Sequence, residues 1–316
     1  MQGLTDAPMR AVQTEGGAFT FAVSEFLRIS SCVPSVRVFH RHVPELSQGG
    51  RTPGGVPVQV QLLGGHPGRM AQAALRACEA GARAIDINFG CPAPTVNRHD
   101  GGAALLRHPK RLQEIVAAVR DALPPDVPVS AKLRLGWDDP DTIHENADRV
   151  AEGGADWITI HGRTRVQGYL PPAYWNPIGL VRERLPIPVV ANGDLWSMDD
   201  FRRCWEQTGC RHFMLGRGAL ADPRLSCQIA REMGLLPAAA APEDTADVNW
   251  PSHLQRLLYY TPCEGRAAEK HLTCRLKQWL KIAHLHGGFA GFERVKRAQS
   301  LAEIFALLAE RTPSGV

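Results

Sequence analysis

Several features that are common in chains of this length are missing from the 316 residues. No run approaches the ~20 apolar residues of a membrane-spanning helix. The opening Met-Gln-Gly-Leu-Thr-Asp lacks the basic and apolar segments of a signal peptide. We therefore expect a cytoplasmic protein. The eight cysteines include no Cys-x-x-Cys pair, which argues against a disulfide framework and against a metal site.

Excess positive charge is confined to the C-terminal part of the chain. Residues 250–316 hold ten Lys or Arg and five Asp or Glu, whereas the rest of the chain holds 26 and 27. A local excess of this kind is typical of a polyanion-binding appendage on a neutral enzyme. A solvated helical face is the alternative explanation.

Strand-like and helix-like stretches alternate through the first three quarters of the chain, which indicates parallel βα units. The predicted strands are 19–26, 56–62, 84–89, 127–133, 157–161, 187–192 and 212–215, and the helices between and after them are 67–80, 109–123, 141–152, 197–207 and 223–233. A long loop is expected after residue 161. Seven strands are one fewer than a (β/α)8 TIM barrel contains, so we predict an α/β TIM barrel whose first strand is truncated.

The composition changes after the last predicted barrel helix. Residues 237–249 are rich in Pro, Ala and acidic residues, as in a linker. Helical periodicity then predicts helices at 254–260, 267–285 and 300–310, with Leu272, Leu276, Leu280 and Ala283 on one face. We predict a catalytic barrel at 1–236, a linker at 237–249 and a small helical bundle at 250–316.

The most informative stretch is Asn88-Phe89-Gly90-Cys91-Pro92, followed by Gly101-Gly102-Ala103. Residues 85–88 alternate as a short strand, and Gly90 and Pro92 break the chain, so Cys91 lies on a loop past the strand's carboxyl end. Most cysteines are small buried apolar residues. One held on a loop between Gly and Pro is suited to chemistry instead.

Polar residues recur at the carboxyl ends of the predicted strands, where TIM-barrel active sites form. They are Gln61, Cys91, Lys132, His161, Asn192-Gly193-Asp194 and Gly216-Arg217. These types suit a flavin, since glycine backbone can approach a phosphate and a fixed lysine stabilises an anionic reduced ring. Each also has an ordinary explanation: Asn-Gly and Gly-Arg-Gly occur in turns, a lone histidine is often structural, and a lysine can be a rim charge.

The Asn-x-Gly-Cys-Pro string with its spaced Gly-Gly-Ala resembles the signature of the tRNA-dihydrouridine synthases. The resemblance implies that FMN is bound and that NADPH reduces it. It places the FMN contacts at Met1, Gln2, Gln61, Lys132, His161, Asn192, Gly193, Asp194, Gly216 and Arg217. It also implies that the flavin N5 gives a hydride to uridine C6 while Cys91 gives a proton to C5. The family has an apolar strand before Met1, so we interpret the truncation as a mis-assigned start.

Within this family the chain is most similar to the bacterial C-type members, which modify uridine 16 of the D-loop. The residues that carry this similarity are 24–28, 38–41, 133–138 and 275–280. The resemblance implies tRNA contacts at Arg28, Asn88, Tyr169, Arg275, Lys277, Ile282 and Lys296. For each of the basic residues, a solvated surface charge is the alternative.

Two other functions are compatible with the sequence. An FMN barrel oxidoreductase of the dihydroorotate-dehydrogenase kind would act on a small free pyrimidine and would need no basic tail. A non-enzymatic RNA-binding protein on a decayed barrel would bind no flavin. We expect a monomer.

Overall fold

The computed structural model describes residues 3–237, 247–262 and 265–310. The chain divides into two compact units. Met1–Ala7, Thr20–Leu195 and Arg202–Leu215 form the first unit, and Pro8–Phe19, Trp196–Phe201 and Gly216–Val316 form the second. The domain boundaries at 236 and 249 stay predictions, and residues 238–246 of the predicted linker lie outside the described residues.

The first unit is built on a parallel sheet of eight strands among the described residues. These are β1 Ala22–Val23, β2 Leu27–Arg28, β3 Val58–Leu63, β4 Ile85–Asn88, β5 Val129–Arg134, β6 Trp157–His161, β7 Val189–Asn192 and β8 His212–Met214. Strands β3 to β8 pair in consecutive order, and β1 and β2 both pair with β3. This consecutive order confirms the predicted TIM-barrel class. Among the described residues, β8 and β1 are not paired with each other.

The predicted strand 19–26 is shortened to β1, which ends before Ser24, and β2 begins only at Leu27. The Ser24 hydroxyl accepts the Gln61 N–H at 3.0 Å, so a side chain replaces the backbone partner in the ladder. The same hydroxyl donates to the Glu25 carbonyl at 2.8 Å. A serine that hydrogen-bonds its own backbone competes with strand pairing, which explains the interruption.

The two faces of the sheet differ in chemistry, because successive side chains on a strand point to opposite faces. One face is apolar and joins the main hydrophobic core: Val58, Val60, Leu62, Ile85, Ile87, Val129, Ala131, Leu133, Ile158, Ile160, Val189 and Ala191. Most of the alternate positions are polar: Gln59, Gln61, Asp86, Asn88, Ser130, Lys132, Arg134, Thr159, His161 and Asn192. The polar face therefore carries the groups available for chemistry.

Helices cover the apolar face of the first unit. They include Val36–His42, Pro67–Glu79, Pro109–Ala122, Ile143–Glu152 and Asn176–Arg184, and the short Pro94–Asn97 follows the Cys91 loop. Proline at the first turn of Pro67–Glu79 and of Pro109–Ala122 suits a helix start. The helix Asn176–Arg184 was predicted as part of a long loop. Only Ile178, Gly179 and Val181 are buried along its nine residues, so its apolar periodicity is weak.

The second unit is helical. Its helices are Ala7–Gly16, Arg217–Ala221, Leu225–Glu232, Trp250–Tyr260, Arg266–His286, Phe292–Val295 and Leu301–Ala309, with the first turn of Met198–Thr208. The predicted apolar face of the long helix is confirmed, because Leu272, Leu276, Leu280 and Ala283 are all buried. Trp279 anchors this core: its indole N–H donates to the Leu220 carbonyl at 2.8 Å.

Candidate active site

Cys91 lies on the loop after β4, as predicted, and its side chain is partly exposed. The Asn88 side-chain oxygen accepts the N–H groups of Gly90 at 3.0 Å and Cys91 at 2.9 Å. The Cys91 carbonyl accepts from the Asn97 amide at 2.9 Å and from the Ala103 N–H at 3.0 Å. Both backbone groups of Cys91 are thus hydrogen-bonded, so the backbone that carries its thiol is held in place.

Gly102 explains why the Gly-Gly pair follows this loop. Its φ of +59° is one that residues with a side chain rarely adopt, and a Cβ there would lie 2.8 Å from the Cys91 carbonyl oxygen. The backbone at Gly102 therefore lies close to a neighbouring segment, and that segment is the Cys91 loop itself.

Side-chain hydrogen bonds connect β3, β4 and β5 across the polar face of the sheet, next to the strand end that leads into the Cys91 loop. Asn88 donates to Gln61 at 2.8 Å, and Gln61 donates to Asp86 at 2.7 Å. Asp86, which is 1% exposed, also accepts from the Ser130 hydroxyl at 2.6 Å. Burial raises the pKa of Asp86, and the hydrogen bonds from Ser130 and Gln61 and the charge of Lys132 oppose that rise. Sequence reasoning singled out Gln61 and Asn88 but missed Asp86.

Lys132 ends in the same polar region. In the sheet register it lies opposite Asn88 on β4 and Thr159 on β6, and its ammonium donates to the Asn192 side-chain oxygen at 2.8 Å. The pKa of Lys132 is lowered to about 8, chiefly by burial and also by repulsion from Arg134, while Asp86 opposes the shift. An anionic ligand beside Lys132 would stabilise the ammonium form.

Gly193 lies against the end of β6. Its φ is +121°, and a Cβ there would come within 3.3 Å of the Gly162 nitrogen and 3.6 Å of His161 Nε2. The following Asp194 forms a two-pronged ion pair with Arg163, which is 1% exposed. The predicted Asp194 carboxylate is therefore engaged with Arg163, a partner that the sequence analysis did not single out.

These residues suit a flavin. Lys132 supplies a cation for an anionic ring, and Gln61 offers both a donor and an acceptor beside it. The absence of a Cβ at Gly193 lets this segment lie close against Gly162 and His161 at the end of β6. The donor set of the first unit therefore fits the predicted FMN.

Arg134 is a further polar residue that the sequence analysis missed. It is buried, and it donates to the carbonyls of Gly90, Thr164 and Gly168 at 2.8 to 2.9 Å. Burial lowers the pKa of Arg134, the neighbouring Tyr169 opposes that shift, and repulsion from Arg163 adds to it. Its position two residues after Lys132 on β5 is the signal that would have revealed it.

The predicted RNA-side residues of the first unit differ in exposure. Tyr169 is 61% exposed, and its ring lies 5.4 Å from the Arg134 guanidinium. Arg28 is exposed and lies 3.4 Å from the Thr95 carbonyl. Asn88 is buried, and its side-chain amide hydrogen-bonds both the Cys91 loop and Gln61. It therefore stabilises the site in addition to lining it.

The second unit holds the remaining predicted residues. Gly216 precedes the helix Arg217–Ala221, and the Arg217 guanidinium lies 4.8 Å from the Trp196 ring. Lys277 donates to the Ala298 carbonyl at 2.8 Å, and the exposed Lys296 pairs with Glu293.

Two more tail residues and the two N-terminal ones complete the predicted set. Ile282 is partly exposed, whereas Arg275 is only 7% exposed. Most of the Arg275 side chain is therefore withdrawn from solvent. Met1 and Gln2 lie outside the described residues.

No helix in residues 3–237, 247–262 and 265–310 is long and apolar enough to cross a membrane. In the same ranges, no three His, Cys, Asp or Glu side chains are grouped so that they could hold a metal ion.

The amino-acid sequence matches known proteins along most of its length. The family profile described as dihydrouridine synthase (Dus) matches residues 1–305. A tRNA-dihydrouridine(16) synthase of Shewanella oneidensis is 45% identical over 281 residues, which are 88% of this chain and 85% of that protein. A tRNA-dihydrouridine(16) synthase of Aquipseudomonas alcaligenes is 42% identical over 313 residues, which are 98% of this chain and 97% of that protein.

Solved structures share the fold at low sequence identity. Histamine dehydrogenase from Rhizobium sp. 4-9 matches with a TM-score of 0.55 and 15% identity, over 82% of this chain and 47% of that chain. A 2-naphthoyl-CoA reductase matches with a TM-score of 0.53 and 12% identity, over 72% of this chain and 46% of that chain. These matches concern the architecture alone.

Proposed function

We propose that this chain, which belongs to the dihydrouridine synthase family, reduces a uridine of tRNA to 5,6-dihydrouridine. Family membership was predicted from the string around Cys91 and is confirmed by the profile match over residues 1–305. The chain is accordingly an oxidoreductase. Uridine 16 is the proposed target, because the relatives that cover most of the chain carry that position in their names.

The observation that carries the proposal is the bracing of Cys91. The partly exposed thiol of Cys91 lies on the loop at the carboxyl end of β4. The backbone N–H and C=O groups of Cys91 are both hydrogen-bonded. General acid catalysis needs a proton donor held within hydrogen-bond reach of the reacting atom. We assign Cys91 as the donor of the proton to uridine C5, so the sulfur must carry its proton when the substrate binds.

The cofactor is proposed to be FMN. Gln61, Lys132, His161, Asn192, Gly193 and Asp194 would hold it, and the roles of Met1, Gln2, Gly216 and Arg217 stay predictions from the resemblance. When bound, the flavin supplies the hydride for uridine C6. Lys132 keeps a positive charge beside the site, and Asn192 fixes the direction of its ammonium. NADPH as the reductant, a cytoplasmic location and a monomeric state are further proposals.

A target uridine has to be unstacked before it can reach Cys91, which costs a few kcal/mol. Stacking on exposed aromatic side chains offsets such a cost in RNA recognition. Tyr169, exposed beside Arg134, is suited to that role. Arg28 and the tail residues Lys277, Ile282 and Lys296 are proposed tRNA contacts. The side chain of Arg275 is buried. Arg275 is therefore proposed to influence tRNA binding indirectly, by stabilising the helix that carries the other contacts.

Replacing Cys91 by alanine tests the proposal. We expect C91A to purify with its flavin and to bind tRNA, while dihydrouridine formation falls at least 100-fold, because a positioned acid contributes about 10²–10⁴-fold. The exposed Cys32 provides the control: C32A should turn over like the wild-type protein. Undiminished dihydrouridine formation in C91A would refute the assignment.

The position is tested separately in cells that lack the gene. Sequencing-based mapping of dihydrouridine in their tRNA should show loss at position 16 alone. Loss at another position would contradict the proposed target while leaving the reaction class intact.

A further inference from the structure

One buried carboxylate connects to Cys91 through a chain of three hydrogen-bonded side chains, Asp86, Gln61 and Asn88, here called the relay. The Gln61 amide donates to Asp86 Oδ2 at 2.7 Å, and the Asn88 amide donates to Gln61 Oε1 at 2.8 Å. Asn88 Oδ1 then accepts the Cys91 N–H at 2.9 Å. All three side chains of the relay are buried, so water does not easily substitute for a missing partner.

The relay has a fixed direction. The N–H groups of Gly90 and Cys91 can only donate, so Asn88 must turn its oxygen toward them and its NH2 toward Gln61. Gln61 must then face Asn88 with its oxygen and Asp86 with its NH2. The last position therefore needs an acceptor, and a carboxylate supplies one. Any group that cannot accept there leaves a buried amide donor unsatisfied or forces both amides to turn over.

We propose that Asp86 is a positioning residue for Cys91: it sets the orientation of the Gln61 and Asn88 amides and thereby holds the backbone that carries the thiol. The inference deepens the proposed function, since it concerns the residue assigned as proton donor. It does not require Asp86 to touch the substrate or the flavin.

Substitutions that reverse the direction of the hydrogen bonds in the relay test the proposal. A rescue by such a reversal could not be explained by packing alone. N88D keeps an acceptor for the Cys91 N–H but places a carboxylate on each side of the Gln61 side chain. Gln61 can donate to only one of them with its NH2 group, so its oxygen faces a carboxylate oxygen at the other and that contact is repulsive. In the double variant D86N/N88D, the Asn at position 86 can donate to a reversed Gln61 and still accept from Ser130. Every partner is then satisfied with the direction reversed.

We expect kcat for tRNA reduction to fall at least tenfold in N88D, with D86N losing less. The double variant should recover at least threefold over N88D, although it carries one more substitution. Flavin content is measured for each protein, and kcat is expressed per bound flavin. A double variant no better than N88D, or N88D with wild-type kcat, would overturn the proposal.

A second measurement does not depend on tRNA chemistry. D86L removes the acceptor, whereas S130A removes only the hydrogen bond to the other Asp86 oxygen and leaves the relay intact. The rate of Cys91 alkylation by iodoacetamide, followed by peptide mass spectrometry, should rise at least threefold in D86L and stay at the wild-type value in S130A. Cys32 alkylation serves as the internal reference.

An unchanged or slower Cys91 alkylation in D86L would reject the positioning role. If the wild-type protein made no dihydrouridine, the proposed function would fail, and the alkylation rates would still decide the role of Asp86. Failure of one proposal is therefore distinguishable from failure of the other.

Discussion

Replacing Gly102 by alanine would press a methyl group against the backbone of Cys91. The new Cβ would lie 2.8 Å from the Cys91 carbonyl oxygen and 3.0 Å from the Cys91 Cβ. Neither atom is the free end of a flexible side chain. The Cys91 loop would therefore have to move by roughly half an ångström to restore an ordinary contact.

The expected loss has two parts. A residue with a Cβ at the Gly102 φ of +59° costs about 1–2 kcal/mol in folding free energy, whatever it touches. The displacement of Cys91 adds a loss of rate. Because a misplacement of about 1 Å at a reacting group costs about 100-fold, we expect kcat in G102A to fall about tenfold, with a smaller change in KM.

Gly55 supplies the matched control. Its φ is +83°, and a Cβ there would meet no atom within 4 Å. G55A should therefore lose comparable stability in a thermal melt without losing turnover. The assay compares kcat for tRNA reduction and the melting temperature of both variants. Wild-type kcat in G102A, or an equal loss of kcat in G55A, would refute the idea that this contact holds Cys91 in place.

Three further predictions concern charge and packing. Because the pKa of Lys132 is lowered to about 8 and an anionic ligand would raise it again, turnover should decline along an alkaline limb at or above pH 8, as the amine loses its proton; K132R should move that limb to higher pH, and an unmoved limb would contradict this role. R163M removes the guanidinium from the half-buried Asp194 carboxylate and should destabilise the protein by about 3–5 kcal/mol in urea unfolding; a change below about 1 kcal/mol would disagree. L276A in the buried face of the tail helix should cost about 2–5 kcal/mol, whereas L285A, at a residue 60% exposed, should cost little; equal losses would argue against the packing described.

The sequence predicted those parts of the fold that depend on local periodicity. Six of the seven predicted strand segments hold strands of three or more residues, whereas the segment 19–26 holds only the two residues of β1. The loop position of Cys91 followed from Gly90 and Pro92. The buried face of the tail helix followed from Leu272 and its partners at helical spacing.

Other elements depend on contacts that local pattern does not contain. The helices Ala7–Gly16 and Val36–His42 were not predicted, since each has few apolar positions at helical spacing. Arg275 was taken for a surface residue, although its neighbours Leu272 and Trp279 on the same helix are buried and its own side chain shares their face. The spacing of three and four residues was the available signal.

The candidate site was predicted in its members but not in its connections. Lys132 and Asn192 were singled out separately, and only the folded sheet brings the ammonium within 2.8 Å of the amide. Asp86 was passed over because a lone acidic residue in a strand has no partner until β3 and β5 are placed beside it. The choice of partners across a sheet depends on strand order and register, which one sequence does not specify.

Polar and apolar positions alternate along β4, so neighbouring residues of this strand are selected for different properties, one for folding and the next for the reaction. Ile85 and Ile87 contribute to folding, so exchange for another aliphatic residue of similar volume is tolerable there. Asp86 and Asn88 face the chemistry and accept no such exchange. In a saturation library of this strand sorted for tRNA modification, positions that tolerate several residue types should therefore alternate with positions that tolerate few. The same library sorted for solubility alone should lose much of that contrast.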